Sequence, residues 1–117
     1  MIQRLTLPLA LALALSAGAA SAADGAKTFQ LQCKTCHGAK STPAGPSLAG
    51  VAGRKIAGLT DFTYSAGLKA KAGTWTDANL DAYLAGPMKF APGTRMATGV
   101  ANPADRAAVV AYLKTLK

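Results

Sequence analysis

Apolar positions fall into two patterns along the chain, one unbroken run near the N-terminus and then small groups at helical spacing separated by Gly- and Pro-rich stretches. After Met1-Ile2-Gln3-Arg4, the segment Leu5 to Leu15 is apolar apart from Thr6, and it passes into the small residues Ala17 to Ala23. A charged start, an apolar run and an A-x-A-like end predict a secretory leader cleaved after Ala22 or Ala23. The alternative is a retained anchor, because Leu5 to Ala23 approaches the roughly 20 apolar residues that span a bilayer. Pro8 and the small residues at the end favour cleavage. The chain therefore divides into a leader over 1–22 and one domain over 23–117.

In that domain there is no period-2 alternation and no run rich in Val and Ile, so no strand is predicted and the fold class is all-α. Asp24 is the expected cap of a first helix of about ten residues, with Ala26, Phe29 and Cys33 on one face. It runs into Cys33-Lys34-Thr35-Cys36-His37 and stops near Gly38. Residues 39–58 are too poor in large apolar side chains and too long for an ordinary connection, so they are functional or wrapped around something. A short helix capped by Ser65 is predicted over 64–72, with Gly67 inside it. Thr76 caps a better one, with Leu80, Tyr83 and Leu84 on a single face, ending at Gly86-Pro87. Residues 87–101 read as loop. Asn102-Pro103-Ala104-Asp105 combines a cap, a proline at the first helical position and an acid in the first turn. The last helix carries Val109, Tyr112, Leu113 and Leu116 at helical spacing, with Lys114 and Lys117 near its C-terminal dipole.

Composition narrows the class. The 117 residues allow one domain, and 12 Gly with 6 Pro fall below the roughly 25–30% that marks low complexity. Thirteen Lys and Arg against five Asp and Glu give a net charge of +8, and loss of Arg4 with the leader leaves +7. That balance suits acidic partners. Nucleic acid is not the reading, because the chain carries an export signal and its lysines are scattered rather than interleaved with aromatics.

Cys33, Cys36 and His37 form a C-x-x-C-H pentapeptide, the attachment signature of c-type haem. Helical spacing sets the two thiols and the imidazole on one face, where the thiols reach the two vinyl groups of a porphyrin and the imidazole stands under the iron. His37 is the only histidine. Other chemistries compete for the cysteines. A disulfide would close a very short loop with little entropic effect. A redox dithiol belongs with a βαβ pattern that is missing, and a tetrahedral zinc would need a fourth ligand. A sixth iron ligand must come from Met88 or Met96. Met96 is favoured because it closes the stiff loop Pro92-Gly93-Thr94-Arg95-Met96, whereas Met88 follows Pro87 at a helix end.

These residues resemble the class I c-type cytochromes, in the branch of mitochondrial cytochrome c and its bacterial periplasmic relatives, over essentially the whole mature chain. Gly25, Phe29, Val109 and Tyr112 match crossing N- and C-terminal helices. The resemblance implies a small single-haem fold with long haem-wrapping loops. It implies that the Pro46 carbonyl accepts from His37, that Arg54 lies near a propionate, and that Tyr64, Trp75 and Thr94 bond or enclose the propionates. Tyr83 is implied to stand near the Met96 sulfur, on the helix of Leu80, Leu84 and Pro87. Arg95 stands where lysine is common. Leu68 replaces a polar residue and Thr98 an aromatic over the haem edge, while Gln32 and Met88 occupy positions where lysines are frequent. Lys34, Lys40, Lys89 and Arg95 remain as candidate docking charges.

The function so implied is a monomeric, soluble, periplasmic one-electron carrier with one haem c, covalent through Cys33 and Cys36, and no enzymatic activity. It would serve a quinol-oxidising cytochrome complex, terminal oxidase, reaction centre or dehydrogenase with an acidic docking face. Competing readings are a dedicated subunit of a dehydrogenase, and a haem peroxidase or gas sensor from which Met96 departs.

Overall fold

Two helices of equal length, from opposite ends of the domain, pack against each other: α1 (Ala22–Gln32) and α5 (Pro103–Leu113). The computed structural model describes residues 21–117, so the predicted leader lies outside the described residues up to residue 20. Where the two helices meet, Gly25 removes an obstacle, because a Cβ there would sit 2.0 Å from the Ala108 carbonyl oxygen. One turn on, the Phe29 and Tyr112 rings meet with centroids 5.1 Å apart. Val109 is buried in the same core as Phe29.

In the full chain α1 is capped by Ser21, inside the predicted leader, rather than by Asp24. Ser21 has extended backbone angles, its Oγ accepts from the Ala23 amide at 3.2 Å, and its carbonyl accepts from Gly25 at 3.0 Å. Asp24 instead lies in the first turn, where its charge faces the positive end of the helix dipole. Nor does the regular helix reach the haem pentapeptide. It ends at Gln32, and residues 33–37 continue as tight turns in which Cys36 and His37 donate to the Cys33 carbonyl at 3.1 and 3.0 Å.

The middle of the chain holds α2 (Ala66–Lys69), α3 (Asp77–Ala85) and α4 (Pro87–Phe90). Helix α2 has the predicted Ser65 cap, accepting from the Leu68 amide at 3.3 Å, but only one turn rather than 64–72. Lys71 turns back onto the Leu68 carbonyl, and the chain leaves to bridge Thr74 with Lys55. Helix α3 follows the sequence reading, with Thr76 Oγ1 accepting from Asn79 at 3.1 Å. Helix α4 is a single turn in the segment expected to be loop, started by Pro87 and closed by the Ala91 amide on the Pro87 carbonyl at 2.9 Å. Asn102 caps α5 as expected, accepting from Ala104 and Asp105.

Ion pairs Arg106–Asp81 at 2.9 Å and Lys114–Asp77 at 3.0 Å tie α5 to α3. Among the described residues only two isolated bridges, Thr42–Gly45 and Lys55–Thr74, have sheet pairing. The buried cluster of Phe29, Leu68, Trp75, Leu80, Tyr83, Leu84, Val109 and Leu113 is thus held by helices on one side and long loops on the other.

Candidate functional site

Helices and loops enclose a cavity of about 340 Å³ within this cluster. All ten predicted site residues line it: Cys33, Cys36, His37, Pro46, Arg54, Tyr64, Trp75, Tyr83, Thr94 and Met96. The volume lies in the range of small-molecule and cofactor sites, about 300–1,000 Å³.

The turns after α1 bring Cys33, Cys36 and His37 to one wall. Cys33 is half-buried and Cys36 exposed, and no disulfide joins them. His37 Nδ1 lies 2.9 Å from the Pro46 carbonyl oxygen. A carbonyl only accepts, so Nδ1 carries a proton, and in the neutral ring the Nε2 lone pair is left for a metal. Gly45 makes this approach possible, since a Cβ there would lie 3.1 Å from the imidazole and 2.6 Å from the Cys36 carbonyl oxygen.

The loop after α4 brings Met96 to the same cavity, whereas Met88 is 54% exposed. Two residues before Met96, the Thr94 hydroxyl is 2.7 Å from the Tyr83 hydroxyl on α3. It also accepts from the Met96 amide at 3.4 Å. Burial pushes the Tyr83 hydroxyl above its usual pKa, and the Thr94 hydrogen bond partly opposes this. Arg95, exposed at the cavity's edge, donates to the Thr63 carbonyl and lies 5.4 Å from the Phe62 ring centroid.

Arg54 is anchored by its Nη atoms to the Ser47 and Ala49 carbonyls, at 3.1 and 3.2 Å. Its Nε is buried with no partner, which in a native interior calls for an anionic or polar acceptor. Backbone pairing fixes Arg54 beside Trp75, through Trp75 N to Arg54 O at 2.8 Å and Gly53 N to Trp75 O at 2.9 Å. Trp75 packs on Tyr83 and Phe90, with centroids 5.2 and 5.8 Å away. The Tyr64 hydroxyl accepts from the Leu59 amide at 3.3 Å and keeps its own proton to donate.

The apolar walls reach beyond the ten predicted site residues. Phe29, Leu68, Leu80, Val109 and Leu113 line the cavity as well as forming the core, and exposed Thr98 lines it too. Their helical spacing signals a buried face without saying what that face is buried against.

A haem fits this set. Two thiols and an imidazole share one wall, a thioether lines the same cavity, the walls are apolar and aromatic, and the orphaned Arg54 Nε suits a carboxylate. The cytochrome c family model matches residues 22–117. The chain belongs to the cytochrome c family.

This cytochrome is of the class I c type and carries one haem c, bound covalently through Cys33 and Cys36. It is 44% identical over 97 residues to cytochrome c-type cyt cy of Rhodobacter capsulatus, an alignment covering 81% of this chain and 49% of that one. The chain thus spans about half the length of that relative. With cytochrome c2 iso-1 of Magnetospirillum molischianum it shares 46% identity over 91 residues, 74% of this chain and 91% of the other. Among solved structures, cytochrome cH from Methylobacterium extorquens superposes with a TM-score of 0.75 at 41% identity, over 81% of this chain and 98% of that chain. Cytochromes c are electron carriers, and electron transport on a c-type haem is the class of work this chain shares with them. Among the described residues no helix is long and apolar enough to cross a membrane.

Proposed function

We propose that this cytochrome is a soluble, monomeric one-electron carrier with His37 and Met96 as axial ligands, exported by cleavage of residues 1–22 and working in the periplasm as residues 23–117. The observation that carries the reading is the convergence of His37 and Met96 on one cavity, with Met88 outside it. When bound, haem c supplies a ferric/ferrous couple that takes and gives single electrons.

The chain's residues do the rest. Cys33 and Cys36 hold the cofactor by thioethers, so it is not lost in an open compartment. His37 is kept in one tautomer and one orientation by Pro46. Tyr83 and Thr94 steady the loop that presents the Met96 sulfur, and a methionine opposite histidine raises the potential. Arg54, Tyr64, Trp75 and Thr94, which line the cavity, would bond or enclose the propionates. The apolar walls exclude water and disfavour extra positive charge. His37 and Met96 would hold the iron between them and leave no position for a substrate, which supports a carrier rather than an enzyme. Partners are redox proteins with acidic docking faces, among quinol-oxidising cytochrome complexes, terminal oxidases, reaction centres and dehydrogenases.

The test is optical and electrochemical. The oxidised protein shows the weak red methionine-to-iron charge-transfer band. Met96→Ala abolishes it and lowers the midpoint potential, while Met88→Ala leaves both unchanged. The reverse pattern assigns the ligand to Met88.

A further inference from the structure

Behind His37 a chain of hydrogen bonds leads out of the site to a carboxylate. The Ser41 hydroxyl donates to Asp61 Oδ1 at 2.9 Å and accepts from the Ser47 amide at 2.9 Å. That amide is the N–H of the very peptide group whose carbonyl, on Pro46, accepts from His37 Nδ1 at 2.9 Å. From this geometry we infer that Asp61 and Ser41 are positioning residues that set the electron affinity of the site through His37, an inference that rests on His37 being an axial ligand.

Amide resonance joins the two ends of the Pro46–Ser47 peptide, so a stronger acceptor at its N–H puts more negative charge on its carbonyl oxygen. Donation to a carboxylate makes the Ser41 oxygen such an acceptor, because hydrogen bonds in a chain polarise one another and charge-assisted ones are the stronger. The Pro46 oxygen then pulls harder on the His37 proton, the imidazole becomes a better donor, and the ferric state gains relative to the ferrous. Asp61 is free to act in this direction, since neither ion pair found among the described residues involves it. Arg54 holds the Ser47 carbonyl and keeps the next peptide from rotating. Asp61 is exposed, so water screens its charge and the effect is small.

The experiment uses holoprotein poised at the parent's midpoint potential, where ferrous and ferric forms are equal. Asp61→Asn and Ser41→Ala each raise the ferrous-to-ferric ratio about twofold, equivalent to about 18 mV at 59 mV per tenfold change. Ser41→Thr, which keeps the hydroxyl, restores the parent ratio. Adding Asp61→Asn to Ser41→Ala changes nothing further. In the ferrous protein, Asp61→Asn also moves the NMR signals of the His37 Nδ1 proton and the Ser47 amide. A ratio unmoved by Asp61→Asn overturns the inference. So does an equal rise in the Ser41→Ala background, which means a through-space field. If Ser41→Ala fails to mature, Asp61→Asn and Ser41→Thr decide alone. Iron-shifted His37 ring signals in the ferric parent test the ligand itself: without them the ligation reading fails, and with them an unmoved ratio defeats only the relay.

Discussion

The hydroxyls of Tyr83 and Thr94 lie 2.7 Å apart, both on buried residues, and this contact ties α3 to the loop two residues before Met96. Tyr83→Phe keeps the ring and removes the bond. It costs about 1 kcal/mol of stability, and the red charge-transfer band is lost at a lower temperature than in the parent. The pH dependence has a definite sign. Burial raises the Tyr83 pKa above its ordinary 10.0, so its neutral form is favoured in the fold. That contribution is complete below about pH 10 and is lost as pH climbs through the folded value. Denaturant titrations of both proteins therefore converge above about pH 10, and a constant gap contradicts the assignment.

Gly25→Ala sets helix propensity against packing. In an exposed helix the change would add about 1 kcal/mol of stability. Here the new Cβ lies 2.0 Å from the Ala108 carbonyl oxygen, so α1 and α5 must part. Overpacking of this kind costs about 1–3 kcal/mol, and packing wins because backbone cannot move aside like a side-chain end. Thermal unfolding should show a lowered midpoint. A raised one means that α1 and α5 do not cross as described.

Much of this was legible in the residues, and the failures have physical causes. The caps Thr76 and Asn102 were readable because cap, first-turn acid and apolar face agree within one helix turn. At α1 two capping residues compete: Ser21 caps the helix in the full chain, and it lies in the segment proposed to be cleaved, so the spacing alone favours Asp24. Four residues of α4 hold too little periodicity to be seen. Within the site, Cys33, Cys36 and His37 announce themselves by spacing. The orphaned Arg54 Nε and the Asp61–Ser41 contact do not, because they depend on how loops 20 or so residues apart pack together.

Docking should respond to salt. Lys34, Lys40, Lys89 and Arg95 are exposed, while Asp77 and Asp81 are paired with Lys114 and Arg106. Against an acidic partner, the second-order electron-transfer rate falls as salt rises from about 10 to 150 mM and the Debye length shortens from about 30 to 8 Å. Gln32 and Met88 are exposed and uncharged, so the slope is shallower than it would be with lysines at both positions. A rate that climbs with salt reverses the sign of the partner's face.

Whether the iron is closed on both sides is the point on which the carrier reading turns, and stopped-flow binding of carbon monoxide to the reduced protein near neutral pH measures it directly. With Met96 in place, binding is slow and limited by opening of the Pro92–Met96 loop, and Met96→Ala makes it fast. Fast, saturable binding to the unmodified protein would contradict the account and point to a gas sensor or peroxidase.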